Sequence, residues 1–282
     1  MSRRRLDVFA CLRRSICAGP RARSTHTLLY VLLAACSASG AALGVASGGI
    51  GWDALYRELD RLPVFVLANA QSAPLQFERE GQPLAVFYES PAEAEAALVQ
   101  AVEAYPALGL RLMPTGLGNA LRMVRDGGRG VLVPEASNLR AARSLAPILD
   151  GAAAWGAPGS LPLFGCPSMR KPLDDGRSSV PLFLSHADAV LALAAAAGGD
   201  AAAAGLVLEC CPLISMAEQL VGGGVEGPIQ FVPSRETARY CAKLQRKLGA
   251  QRPPEGISSD TAMRALTTIF DGRTDSSGLF PS

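Results

Sequence analysis

The chain has 282 residues, 49% of them hydrophobic, and a formal charge of +2. That is ample apolar material for one or two packed domains and excludes wholesale disorder. The charge is unevenly divided: residues 1–50 carry seven arginines against Asp7 alone, leaving the rest net acidic at −4. A nucleic-acid binder keeps its positive charge on the folded part, so that class is excluded as well.

Residues 1–27 are rich in Arg and Ser and nearly free of acid, the composition of an organellar transit peptide. The apolar stretch Leu28–Cys36 follows. It is short for a bilayer span, which takes about 20 residues, and reads as a second sorting signal. A bacterial-type signal peptide and a retained anchor are the alternatives. Residues 1–50 are therefore assigned to a cleavable leader.

Trp52–Leu62 places Trp52, Leu55, Leu59 and Leu62 at helical spacing. Pro63–Leu67 reads as a buried strand, Asn69–Pro74 as a turn, Glu78–Pro83 as a polar loop and Leu84–Tyr88 as a strand. Ser90-Pro91-Ala92-Glu93 is a capping box with proline at the first helical position, and predicts that Glu93 reaches back to the cap. The helix it opens turns Ala94, Ala97, Leu98, Ala101, Val102 and Tyr105 to one face before Pro106. Strand Leu110–Met113, helix Leu117–Arg125, strand Gly130–Val133 and helix Ala136–Leu149 follow, and Gly151–Ser160 is a join.

The same list then restarts. Strands are predicted at Leu161–Gly165, Val180–Leu184, Leu206–Cys210 and Pro228–Val232, with helices at His186–Ala197, Leu213–Val221 and Ser234–Leu248. Ser90 answers Ser185 and Val133 answers Val232, offsets of 95 and 99 positions. A period that long is no solenoid repeat, which runs to roughly 20–50 residues. It predicts a mixed α/β (α+β) molecule of two homologous halves, 52–150 and 151–248, related by a pseudo-twofold axis, within a domain of residues 51–248. Residues 249–282 read as a flexible tail.

Catalytic chemistry finds little support. His186 is the one histidine after residue 50 and stands at a helix start, where exposure is the default. No Ser sits in a G-x-S-x-G elbow, and Asp174-Asp175 read as solvated turn charges. Thr115-Gly116-Leu117-Gly118-Asn119-Ala120 lies where a phosphate cradle would, but lacks the third glycine; a small-molecule enzyme using this turn is the minor alternative. No cysteine pair has C-x-x-C spacing, and Cys166 and Cys241 read as buried small hydrophobes. The expectation is a binding protein and not an enzyme, without metal, cofactor or nucleic acid. Strands with large hydrophobes on both faces would leave apolar grooves if helices covered only part of the sheet. Phe65, Leu67, Phe87, Phe164 and Phe183 are then the candidate polypeptide-binding residues, although plain core is the leading reading for each one taken singly.

Leu62-Pro63-Val64-Phe65-Val66-Leu67-Ala68-Asn69-Ala70, Gly81-Gln82-Pro83-Leu84-Ala85-Val86-Phe87-Tyr88 and Ser90–Leu98 resemble the twenty-two-kilodalton subunit family of the plastid inner-envelope translocon, the Tic complex. Leu110–Thr115, Val131–Pro134, Leu161–Phe164 and Val180–Ala189 continue the resemblance, which spans about Trp52–Leu248. It implies a chaperone-like import component of the envelope intermembrane space, peripheral to the inner membrane, whose partners are unfolded precursor proteins and other translocon subunits. The thylakoid lumen is the alternative location, and a membrane-protein biogenesis factor of the same fold the alternative role. No binding residue carries over from the family.

Overall fold

The computed structural model describes residues 49–249 apart from 80, 146–154, 156–159, 174–175, 199–204 and 226. The proposed tail and nearly all of the leader therefore lie outside the described residues, as does most of the join. Gly49 and Ile50, assigned to the leader by composition, belong to the folded body. The Ile50 N–H donates to Leu220 O at 3.2 Å. Gly49 takes φ 76°, and a Cβ there would lie 2.3 Å from Val221 O.

In chain order the elements are α1 (Trp52–Leu59), β1 (Pro63–Ala68), β2 (Gln76–Arg79), β3 (Gln82–Tyr88), α2 (Pro91–Ala104), β4 (Arg111–Gly116), α3 (Leu117–Arg125), β5 (Gly130–Val133) and α4 (Ala136–Leu145). The second half supplies β6 (Pro162–Gly165), β7 (Lys171–Pro172), β8 (Ser178–Phe183), α5 (His186–Ala196), β9 (Glu209–Pro212), α6 (Leu213–Val221), β10 (Ile229–Val232) and α7 (Arg235–Gly249). The mixed α/β class expected from the sequence is the observed one.

Each half builds its own five-stranded sheet. In the first, β3 runs antiparallel to β1 and β2 and parallel to β5, while β1 also pairs antiparallel with β4. The second repeats the scheme: β8 is antiparallel to β6 and β7 and parallel to β10, and β6 pairs with β9. Single hydrogen bonds recur at matching places. Leu117 N donates to Leu62 O and Leu213 N to Leu161 O, both at 2.8 Å.

Because successive strand residues point to opposite faces, the central strands feed two packing layers. Val64, Val66, Ala85, Phe87 and Leu132 from the first sheet meet Leu163, Leu182, Ile229 and Phe231 from the second in one central core, closed by α1, α3 and α6. The outer faces are covered differently. The last helix of each half crosses to the other: α4 packs on β6, β9 and α5, while α7 packs on β1 and α2. Thus Tyr240, Cys241 and Leu244 of α7 join Phe65, Leu67 and Tyr88, and Leu139 and Ala142 of α4 join Phe164 and Phe183.

Candidate functional site

The exchanged helices decide the fate of the five candidate contacts. Phe65 and Leu67 lie on the outer face of the first sheet, buried beneath α2 and α7, with the Tyr240 ring edge-on to Phe65 at 5.2 Å. Phe164 and Phe183 lie in the equivalent place on the second sheet, buried beneath α4 and α5. Phe87 faces inward and belongs to the central core. None of the five opens to solvent in this structure. A helix from the other half covers each sheet's outer face.

Large hydrophobics are exposed elsewhere: Leu145 at the end of α4, Val207 before β9, and two on each of the sister helices α2 and α5. Val99 is 68% and Val102 42% exposed on α2; Val190 is 43% and Leu191 52% exposed on α5. Val102 was expected to face inward, and it faces out. The signal for α5 was present in its composition: His186–Ala196 reads HADAVLALAAA, apolar nearly all round. Such a helix buries one face and leaves an equally apolar one uncovered unless a partner takes it.

Between the halves runs a buried polar hub. Glu89, only 5% exposed, accepts from the Glu135 N–H at 2.7 Å and from Asn138 Nδ2 at 3.0 Å. Asn138, at the start of α4, also donates to Leu184 O at 2.9 Å and accepts from the His186 N–H at 2.9 Å. One amide side chain therefore ties the end of β3 to the second half. The Glu89 N–H donates to Val133 O just as the Leu184 N–H donates to Val232 O, so Leu184 is the sister of Glu89. Burial pushes the Glu89 carboxyl up to about 8, with nearby Glu135 and Glu93 adding to it against the two hydrogen bonds.

Neighbouring acids serve the exchanged helices. Ser90 accepts from the Glu93 N–H at 3.5 Å, half of the expected capping box. The Glu93 carboxylate does not return to Ser90 but accepts from the Ala136 N–H, at the start of α4, at 2.9 Å. Asp188 does the same for α7, accepting from the Arg235 N–H at 2.8 Å, while Ser185 accepts from the Asp188 N–H. A carboxylate at a helix N-terminus satisfies an orphan donor and opposes the helix dipole. The first half thus holds the start of its departing helix with Glu89 and Glu93, and the second half with Asp188.

The glycine turn before α3 is occupied by the protein itself. The Asn119 N–H, the amide a phosphate would meet, donates to Asp60 Oδ1 at 2.7 Å. A Cβ on Gly118 would lie 2.0 Å from Tyr56 O, so that glycine is required for the close approach of α1 and α3. His186, expected to be exposed, is half-buried with its ring edge-on to Phe164 at 5.2 Å. Burial pushes the Cys210 thiol up to about 12 and Cys211 up to about 11. No cluster of metal-ligating side chains occurs among the described residues, and none of their helices is long and apolar enough to cross a membrane.

No family model and no curated protein matches the chain. Solved structures do. Tic22 from Plasmodium falciparum aligns with a TM-score of 0.57 at 16% identity, covering 68% of this chain and 98% of its own. Anabaena Tic22, described as a protein of protein transport, aligns with a TM-score of 0.54 at 18% identity, covering 73% of this chain and all of its own. The chain has the fold of these Tic22 structures, the fold implied by the resemblance in its sequence.

Proposed function

We propose that the protein is a chaperone-like component of plastid protein import that holds unfolded precursor proteins between the outer and inner translocons and catalyses no reaction. The single observation that carries this reading is the pair of uncovered apolar helix faces, Val99 and Val102 on one sister helix and Val190 and Leu191 on the other. Exposed apolar side chains grouped on one helix offer contact to a partner when they form a patch, and a group on each half suits an extended polypeptide touching both. The shared fold with a structure described as a transport protein supports the same reading. The Arg-rich leader suits a plastid destination, and residues 49–249 would then lie at the membrane periphery in the intermembrane space.

The test is site-specific photocrosslinking in intact plastids importing a stalled precursor. Probes at Val99 and Leu191 are expected to form adducts with the precursor, and a probe at the exposed Arg57 on α1 is not. No adduct from either apolar face, with the precursor stalled in the envelope, overturns the reading. The apolar stretch Leu28–Cys36 favours a second location, the thylakoid lumen, which N-terminal sequencing of the mature protein from fractionated plastids separates from the first.

A further inference from the structure

The outer face of the first sheet pairs an apolar floor with a basic amphipathic cover. The floor is made of large apolar side chains, Phe65, Leu67 and Tyr88, all buried. Its cover α7 reads RETARYCAKLQRKLG, with five basic residues against Glu236. Among the described side chains of α7, Thr237 and Cys241 alone are fully buried; Tyr240 and Leu244 are half-buried, while Arg239, Lys243, Arg246 and Lys247 face solvent. The rim groups that face α7 from other elements, Glu93, Glu95 and Glu135, are acidic. Glu95 joins Glu236, Arg239, Tyr240 and Lys243 around the cleft between α2 and α7, and burial, with Glu135 and Glu95 nearby, raises the Glu236 carboxyl. At its N-terminal end the helix is fastened by Asp188, through the Arg235 N–H at 2.8 Å and Arg235 Nε at 3.5 Å, and by a hydrogen bond from Thr237 Oγ1 to Glu89 O.

We propose that α7 is a built-in occupant of a client groove, and that a basic amphipathic helix in a client polypeptide displaces it. This rests on the reading that the protein holds other polypeptides, and it names what this groove would select. The apolar floor takes an aromatic or aliphatic stripe at one-turn spacing, as Tyr240 and Leu244 now provide, and the acidic rim takes basic side chains beside it. Lightly buried, charge-rich elements are the ones that open at low free energy. Affinity for a client then scales with the fraction of molecules whose α7 has lifted.

The probe is a fluorescent synthetic peptide with the sequence Arg235–Gly249, titrated into the full chain. The expected result is saturable binding that tightens about tenfold in Asp188→Ala, the size of one lost helix cap, accompanied by loss of hydrogen-exchange protection across α7. A peptide with its Arg and Lys replaced by Glu is expected not to bind. Tyr240→Ala, which removes the contact with Phe65 and leaves Asp188 in place, is expected to act in the same direction should Asp188→Ala fail to fold. Absence of binding, equal affinity in wild type and variants, or binding that leaves α7 protected would each overturn the proposal. Precursor crosslinks from Val99 and Leu191 would stand through any of these outcomes, so failure here is distinguishable from failure of the holding role.

Discussion

Replacing Glu89 with Leu, the residue found at the sister position 184, should change how stability depends on pH. A carboxyl in the unfolded chain titrates near 4.3, whereas burial holds that of folded Glu89 at about 8. The folded state keeps a proton that the unfolded chain releases across that window. Stability from this residue is therefore greatest below about pH 4.5, declines as pH rises, and is lowest above about pH 8. At about 1.4 kcal/mol per unit, the total is on the order of 5 kcal/mol. Leu removes this penalty but leaves the Glu135 N–H without its acceptor, at a cost of about 1–3 kcal/mol. Asn138 keeps its bond to Leu184 O. Urea unfolding from pH 5 to 9 should show Glu89→Leu less stable than wild type at pH 5, more stable at pH 9, and crossing between. A shallower slope of the same sign should remain, because burial also raises Asp60, Glu93 and Glu236. Parallel curves would refute the assignment of a buried, proton-holding Glu89.

Gly118→Ala should cost about 3 kcal/mol or prevent folding, since its Cβ would meet the Tyr56 carbonyl at 2.0 Å; expression yield and thermal melting read this out. Phe164→Ala should cost about 3–5 kcal/mol in urea unfolding because the ring is fully buried under α4 and α5. Cys210 and Cys211, with thiols held near 12 and 11, should stay unmodified by thiol reagents at pH 8 until the protein is denatured, as mass spectrometry of labelled peptides would show.

Helix α3 and strand β5 were legible in the sequence at their observed bounds because Leu117, Leu121 and the Gly130–Val133 run combine clear periodicity with clear stops. Strands β2 and β7 were missed. Gln76–Arg79 and Lys171–Pro172 are short, largely polar edge segments whose identity comes from pairing with β3 and β8, which no local pattern records. The five candidate contacts were correctly read as large hydrophobes on two-faced strands. Core is the leading reading of each and all five are buried; the helix that covers them is not legible, because a stripe such as Tyr240, Cys241 and Leu244 shows that a helix packs but not on which sheet. Glu89 carried no signal either: a lone Glu ending a strand reads as solvated, and only Asn138, brought in from α4, makes it a buried bridge. Glu93 shows the same limit. Its spacing from Ser90 marks a helix start, yet its carboxylate is claimed by a neighbour 43 positions away.

Trading α4 and α7 between the halves has a consequence for biogenesis. While the polypeptide is being made, or threaded N-terminus first through a membrane, the first sheet is complete long before Arg235 arrives to shelter it. At translation speeds of about 5–20 residues per second, that delay is on the order of ten seconds. For that interval the outer face of the nascent sheet has only α2 over it, and the apolar floor that α7 will close stays open to misassociation.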